Sequence, residues 1–484
     1  MKINLPMKML FSLLVMLVVN LGFSQNNKKK VWTEVSKSNF KQTTLTSIPL
    51  KAKAFKLDLA AVKQVLSSAP KRGEVLPGNS NVILNFPSSN GALESFRIVE
   101  ASVMTPELQA QFPNIRSYAG QGIDNPSSTI RFSVSDTKGI SSMRRAEGMR
   151  TSFIEQYDNQ GGVYVAFDRS STTKSDFACD TDEQFGTKMK GDVVNASKDA
   201  DTGTFHTFRL ALSCTGEYGA GAGGGTLAGV MTEFNNTMTR VNGIFENDFA
   251  TTMVMIANES DIIHLNPATD PYVGGGLNGE LQAHLTAVIG EANYDIGHVF
   301  SQAGNNGNAG CIGCICVDGS KGSAFTQSTV PTGVDFDVDF VAHEMGHQYG
   351  GNHTFTQSNE GTGANLEPGS GSTIMGYAGI TGATDVQPHS DPYFHFFTIE
   401  QVTAHVASRT CDTEAALTQA TPTANAGADY TIPSGTAFKL TGAGTVDGAG
   451  AITYCWEQSD IGGPGNTHPS STDTSGPSFR SLDP

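Results

Sequence analysis

At 484 residues, with 54 glycines and a net charge of −16, the chain exceeds what one hydrophobic core usually organises, and two to four units of about 100–200 residues each are expected. The charge is unevenly placed: residues 205 to 412 carry four basic side chains against 21 acidic ones, whereas residues 1 to 204 carry 25 basic against 19 acidic. An acidic body repels phosphate backbones, which argues against nucleic acid as a partner; calcium, basic peptide segments and a plainly solvated surface all stay open.

The first element is a targeting signal. Lys2 and Lys8 precede the apolar run Met9 to Val19, and Gly22-Phe23-Ser24 places small residues before a cut ahead of Gln25. Residues 1–24 therefore read as a secretory signal peptide, and the mature chain is expected to be extracellular. The run is too short to span a bilayer comfortably and no other apolar segment approaches about 20 residues, so stable membrane insertion is not expected.

Residues 25–200 read as a β-rich unit. Asn81 to Phe86, Phe96 to Val99, Thr129 to Val134 and Val163 to Phe167 are short strand-like runs separated by turn residues, and none of them suggests catalysis. Cys179 is the only cysteine of this leader. Lys188 to Gly203 is polar and rich in Gly, Asp, Ser and Lys, the composition of an exposed stretch where a maturation cut falls.

From Phe205 the pattern changes to alternating strands and helices. His206 to Leu212 suits a first strand and Thr226 to Asn247 a helix. The glycine-rich Gly219 to Gly225 between them lacks the G-K-[ST] of a phosphate cradle and reads as a connector. Thr251 to Ala257 suits a second strand, Leu277 to Gly290 a helix with Asn278 as its N-cap, and Tyr294 to Phe300 an inner strand in which His298 is structural. A loop-rich stretch, Asn305 to Gly322, holds Cys311, Cys314 and Cys316. A helix is expected from Val334–Asp337 to Tyr349, burying Phe336, Phe340 and Val341, and a last one from Phe397 to Ser408, ahead of Cys411.

Within the first of these two helices lies His343-Glu344-Met345-Gly346-His347-Gln348-Tyr349-Gly350-Gly351-Asn352-His353. At about 100° per residue, His343 and His347 share one helix face and can grip one ion. Glu344 misses that line yet reaches a water bound there, the place of a general base. Gly350-Gly351 can take positive φ and turn the chain so that His353 becomes a third ligand. Three nitrogen donors leave a fourth position open, the mark of a catalytic zinc.

This string, H-E-x-x-H-x-x-G-x-x-H, followed by Ser372-Thr373-Ile374-Met375-Gly376-Tyr377, resembles the metzincin clan of zinc endopeptidases. The wording around His298 resembles its reprolysin-like (adamalysin-like) branch, and Tyr118-Ala119-Gly120-Gln121-Gly122-Ile123-Asp124 looks like the leader of secreted bacterial members. The resemblance implies an α/β catalytic domain over 205–412, a twisted, mostly parallel sheet with an active-site helix and a C-terminal helix. It implies Zn2+ as cofactor, held by His343, His347 and His353, with Glu344 as base and Met375 as a hydrophobic floor. Tyr377 matches a tyrosine that in some members binds zinc at rest and swings to the oxyanion; packing is its other open role. One departure is Thr354, where reprolysins usually carry Asp after the third histidine.

The same resemblance casts 25–200 as a propeptide folded onto the cleft. Cys179 is then the thiol of a cysteine switch on the fourth zinc position, or else a disulfide partner of the mature part. Gly191-Asp192 is a weaker plug of the astacin type. An edge strand in 305–322 is expected to pair with extended substrate. By resemblance Cys316, or else Cys314, pairs with Cys411, and Cys214 is expected to pair within 311–316.

Pro422 to Ile432, Phe438 to Gly442 and Ile452 to Gln458 resemble a PKD-type module, which implies an incomplete β-sandwich over 420–484 with Trp456 in its core. The expectation is a secreted zinc metalloendopeptidase made as a latent zymogen, monomeric, with protein or peptide substrates and its own propeptide as partners. The rival readings are an adhesion or binding protein on the same scaffold and a zinc amidase acting on cell wall.

Overall fold

A computed structural model describes residues 30–43, 48–49, 51–146, 148–169, 177–181, 203–358, 360–417, 419–433, 435–447, 451–463, 472–473 and 475–482. The signal peptide, Gly191-Asp192 and the stretch from Lys188 to 202 lie outside these residues. Among the described residues no helix is long and apolar enough to cross a membrane.

The leader forms one sheet of nine strands: β1 (Trp32–Val35), β2 (Lys53–Leu57), β3 (Ile83–Pro87), β4 (Leu93–Glu100), β5 (Arg116–Gly122), β6 (Thr129–Ser135), β7 (Gly139–Ala146), β8 (Met149–Asp158) and β9 (Val163–Asp168). Their order is β1-β2-β9-β8-β7-β6-β5-β4-β3, every neighbour antiparallel. Alternation along a strand decides which face each residue serves. In β6, Ile130, Phe132 and Val134 enter a core with Trp32, Phe86, Phe96 and Tyr164. Arg131 and Ser133, between them, face the body, where Arg131 pairs with Glu246 and Ser133 donates to Asn236.

The body has a second, mixed sheet built from β10 (Ala178–Cys179), β11 (Thr204–Cys214), β12 (Thr251–Met255), β13 (Ile296–Ser301), β14 (Asn305–Asn308), β15 (Ala324–Ser328) and β16 (Thr413–Ala416). The order is β10-β14-β15-β13-β11-β12, with β16 also beside β11. β11 is parallel to β12 and β13, β13 to β15, while β14 runs antiparallel to β15 and so turns the sheet edge around. Helix α1 (Leu227–Phe249) starts at Thr226, whose hydroxyl accepts from Gly229 N at 3.1 Å, and ends at Ala250 with φ 51°. It is buried along most of its length because the body sheet covers one side and the leader sheet the other.

The charge asymmetry of the sequence maps onto this interface. Arg72 and Arg131 pair with Glu246, Lys138 with Glu233, Arg145 with Asp248, and Arg169 with Asp335 and Asp339. The leader's cations thus meet the body's acids, and one pair runs the other way, Glu155 with Arg240.

Several expectations change. Helix α2 (Leu277–Val288) is preceded by Gly276, and Asn278 is not its cap; the Asn278 amide donates to the carbonyls of Asn308 and Ser323 and so ties the helix to the sheet edge. Cys316 is joined to Cys411, but Cys214 does not pair within 311–316: Cys311 is joined to Cys314. Cys214 ends the central strand β11, fully buried among the side chains around α1, its sulfur 3.6 Å from the His264 carbonyl. Among the described residues beyond β16, the strands are the ribbon β17 (Thr423–Asn425) and β18 (Ala443–Thr445). Trp456 is 40 % exposed rather than in a core, because no second sheet covers it among the described residues.

Candidate active site

The helix expected from Val334 to Tyr349 is made in two parts. Asp335–Val341 is wound as a π-helix and continues without a break into α3 (Ala342–Gln348). Phe336, Phe340 and Val341 are buried, as their spacing predicts. Tyr349 closes the helix and Gly350 takes φ +104°, a conformation only glycine adopts readily. The chain then doubles back and brings His353 against the helix.

Three ring nitrogens converge. His353 Nε2 lies 3.2 Å from His343 Nε2 and 3.0 Å from His347 Nε2. Their other nitrogens are held: Nδ1 of His343 donates to Ile374 O at 2.7 Å, that of His347 to Gly351 O at 2.8 Å, and that of His353 to Glu360 Oε2 at 3.0 Å. With Nδ1 carrying the proton, each Nε2 presents a lone pair to the common centre, the arrangement of metal-bound histidines. Three lone pairs that close repel unless a cation lies among them, so the donor set fits zinc. Cys179 adds a sulfur 3.6 Å from His347 Nε2, and one ligand atom from each of the four residues lies within 4.8 Å of the rest. Burial and the two neighbouring histidines hold His347 well below its ordinary pKa, which keeps the ring neutral.

Glu344 is fully buried beside this centre. Its Oε2 accepts from Thr181 Oγ1 at 2.9 Å, while Oε1 has no hydrogen-bond partner. Burial pushes its carboxyl up to about 7, against the opposing pull of hydrogen bonds from Cys179 and Thr181. It reaches this position because the facing strand β14 carries Gly307: a Cβ there would meet Glu344 Cγ at 2.5 Å. Met375 lies below α3, its sulfur 2.6 Å from where a Cβ on Gly346 would stand, which makes both residues specific to the packing. Tyr377 sets its ring 4.5 Å from that of His353 and 5.8 Å from that of His343. Burial holds its phenol far above the ordinary value.

The leader lies across this cleft. Ala178–Cys179 pairs with Asn306 and Gly307 of β14 in parallel register, and Asp180 N donates to Gly307 O at 2.8 Å. Phe177 stacks on Phe340 at 4.0 Å and meets the His343 ring edge-on at 6.3 Å, in a pocket also lined by Tyr377, Ala378 and Ile380. Burial pushes the Cys179 thiol up to about 11.

Several residues of the site carry no mark in the sequence. Glu360 orients His353, and Thr181 holds Glu344 while accepting from Ala309 N at 2.8 Å. Glu367 is buried and supplies the carboxylate absent at position 354: it accepts from the Thr354 hydroxyl and from the main-chain nitrogens of Ser372 and Thr373, tying the third histidine to the turn that carries Met375, the Met-turn. His298 is structural, bridging Gln348 at 2.9 Å and Thr326 at 2.8 Å, and burial lowers its pKa to about 4.

A sheet with a reversed edge strand, a helix carrying two histidines and a third on the returning loop define the architecture of a metallopeptidase domain. Residues 204–404 match the family described as Metallo-peptidase family M12B Reprolysin-like, so this stretch is a metallopeptidase domain. A comparison with curated proteins finds no match.

Proposed function

We propose that the chain is a secreted, zinc-dependent metalloendopeptidase made as a latent precursor. The reading rests on one observation above all: three histidine Nε2 atoms converge beside a buried Glu344 whose Oε1 has no partner. Zinc, when bound by His343, His347 and His353, supplies a Lewis acid that acidifies a water and polarises a peptide carbonyl. Glu344 takes the proton of the attacking water and returns it to the nitrogen of the leaving amine as the C–N bond breaks. Tyr377 donates its phenol to the carbonyl oxygen as charge develops there.

The edge strand β14 holds the main chain of the substrate by adding it as a strand. The place that Phe177 occupies against Phe340 and His343 receives a large apolar side chain. In the precursor the leader holds both positions, and Cys179 would join the three histidines in holding the metal, with release following a cut in the polar stretch before residue 203. Casein incubated with the processed protein, with and without a chelator, tests the reading: cleavage that the chelator abolishes supports it. An intact substrate in both arms would overturn it and favour a binding scaffold.

A further inference from the structure

A second cluster stands on the segment that leads into α3. Asp335 and Asp339 lie one turn apart on the π-helical stretch, and His389, on the chain after the Met-turn, brings Nδ1 to 2.9 Å from Asp339 Oδ2 and 3.7 Å from Asp335 Oδ1. One ligand-type atom from each lies within 4.8 Å of the other two. The cluster is pre-set by the body alone, since Ser390 N donates to Asp339 Oδ1 at 3.1 Å. His389 is 4 % exposed, and its Nε2 is buried with no hydrogen-bond partner.

A cation already sits there, and it belongs to the leader. The guanidinium of Arg169 donates to Ser390 O at 2.8 Å, to Asp335 Oδ1 at 3.2 Å and to Asp339 Oδ2. A cavity of about 610 Å³ adjoins it, lined by Arg150, Arg169, His389 and Ser390 among others. When the leader departs, two carboxylates stay within 4.8 Å of each other without their counter-charge, an arrangement that favours any cation able to replace the guanidinium.

We propose that Asp335, Asp339 and His389 form a second metal site, for a divalent transition-metal ion, which Arg169 keeps closed in the precursor. Two carboxylate oxygens, one imidazole nitrogen and the carbonyl of Ser390 make a mixed N/O donor set suited to Mn2+ or Zn2+; the imidazole sets it apart from the all-oxygen cages of calcium. The ion would tie the π-helical segment to the chain after the Met-turn. Asp339 and Ser390 line the same small cavity as Phe177 and His343, so the ion would stiffen a wall of the cleft once the leader no longer does. This site is separate from the three zinc histidines; it rests on the proposed release of the leader but not on the activity proposed for them.

The test uses the full chain, first loaded with one equivalent of Zn2+, which the three-histidine centre takes, and then titrated with Mn2+, with bound Mn2+ read by electron paramagnetic resonance, to which Zn2+ is silent. Wild type is expected to hold no Mn2+, Arg169→Ala to hold one ion per chain, and Arg169→Ala with Asp335→Asn to lose it. Arg169→Gln, which keeps hydrogen bonding and removes the charge, repeats the test should the alanine variant misfold. Two results would overturn the proposal: no Mn2+ gained by either Arg169 variant, or Mn2+ retained when Asp335 is neutralised. Arginine amide bound by the Arg169 variants in place of Mn2+ would also overturn it, assigning the cluster to a basic side chain. Zinc content, measured separately, reports on the histidine centre.

Discussion

The sulfur of Cys179 lies 3.6 Å from Nε2 of His347, on the open side of the three-histidine centre. A thiol there would coordinate as thiolate once a metal is bound, against the upward push of burial. Cys179→Ala in the full chain is therefore expected to raise casein cleavage about tenfold or more over a silent wild type, a change of about 1.4 kcal/mol. An equally silent variant would remove the thiol from the account of latency and leave β-pairing and Phe177 as the block.

Phe177 is 5 % exposed and its ring stacks on Phe340 at 4.0 Å. Truncating it to alanine is expected to weaken the leader's hold by about 3 kcal/mol. The measure is the urea concentration at which the leader becomes open to added protease. If that midpoint stays where it is, the aromatic stack contributes nothing to docking.

Proton linkage gives a third expectation, for the metal-free precursor. Glu344 is shifted by burial from an ordinary 4.5 up to about 7, so the folded chain binds this proton more tightly than the unfolded one. Its contribution to stability is complete below pH 4.5 and falls as pH rises to 7, by about 1.4 kcal/mol per unit at most. Other buried acids titrate as well, so the readout is the difference between wild type and Glu344→Gln. The stability of wild type relative to Glu344→Gln is expected to fall as pH rises from 4.5 to 7, and a pH-independent difference would contradict the assigned shift.

How far the sequence carries can be judged from particular residues. His343, His347, His353 and Met375 were legible because metal geometry and helix periodicity bind them to fixed spacings. The helices and inner strands of the body were legible within a few residues for the same reason. Glu367 was not, because its partners Thr354, Ser372 and Thr373 come together only when the loop after His353 folds back under the Met-turn. Arg169 was silent too: its meaning comes from Asp335 and Asp339, more than 160 residues away in sequence. Asn278 was misread as a cap since asparagine suits both a cap and a bridge between elements, and only the neighbouring strands decide which. Cys214 was misplaced because counting cysteines does not say which of them a central strand buries.

The bond between Cys316 and Cys411 closes a loop with a sequence separation of 95 and fastens the chain after α4 (Phe396–Ala407) to the loop between β14 and β15. Replacing both with serine is expected to lower stability by about 4 kcal/mol, read as a shift in the urea midpoint of the body. Cys214, which burial pushes up to about 12, is expected to stay unreactive to iodoacetamide in the native chain. Rapid alkylation of Cys214 would contradict its placement in the core.

The account stands or falls on Glu344 as the base beside a three-histidine zinc centre. The direct measurement is zinc content together with casein turnover on one preparation of the processed protein, wild type against Glu344→Ala. The predicted result is one zinc per chain in both, with turnover lost only in the variant. Turnover retained by Glu344→Ala, or zinc lost with it, would contradict the assignment.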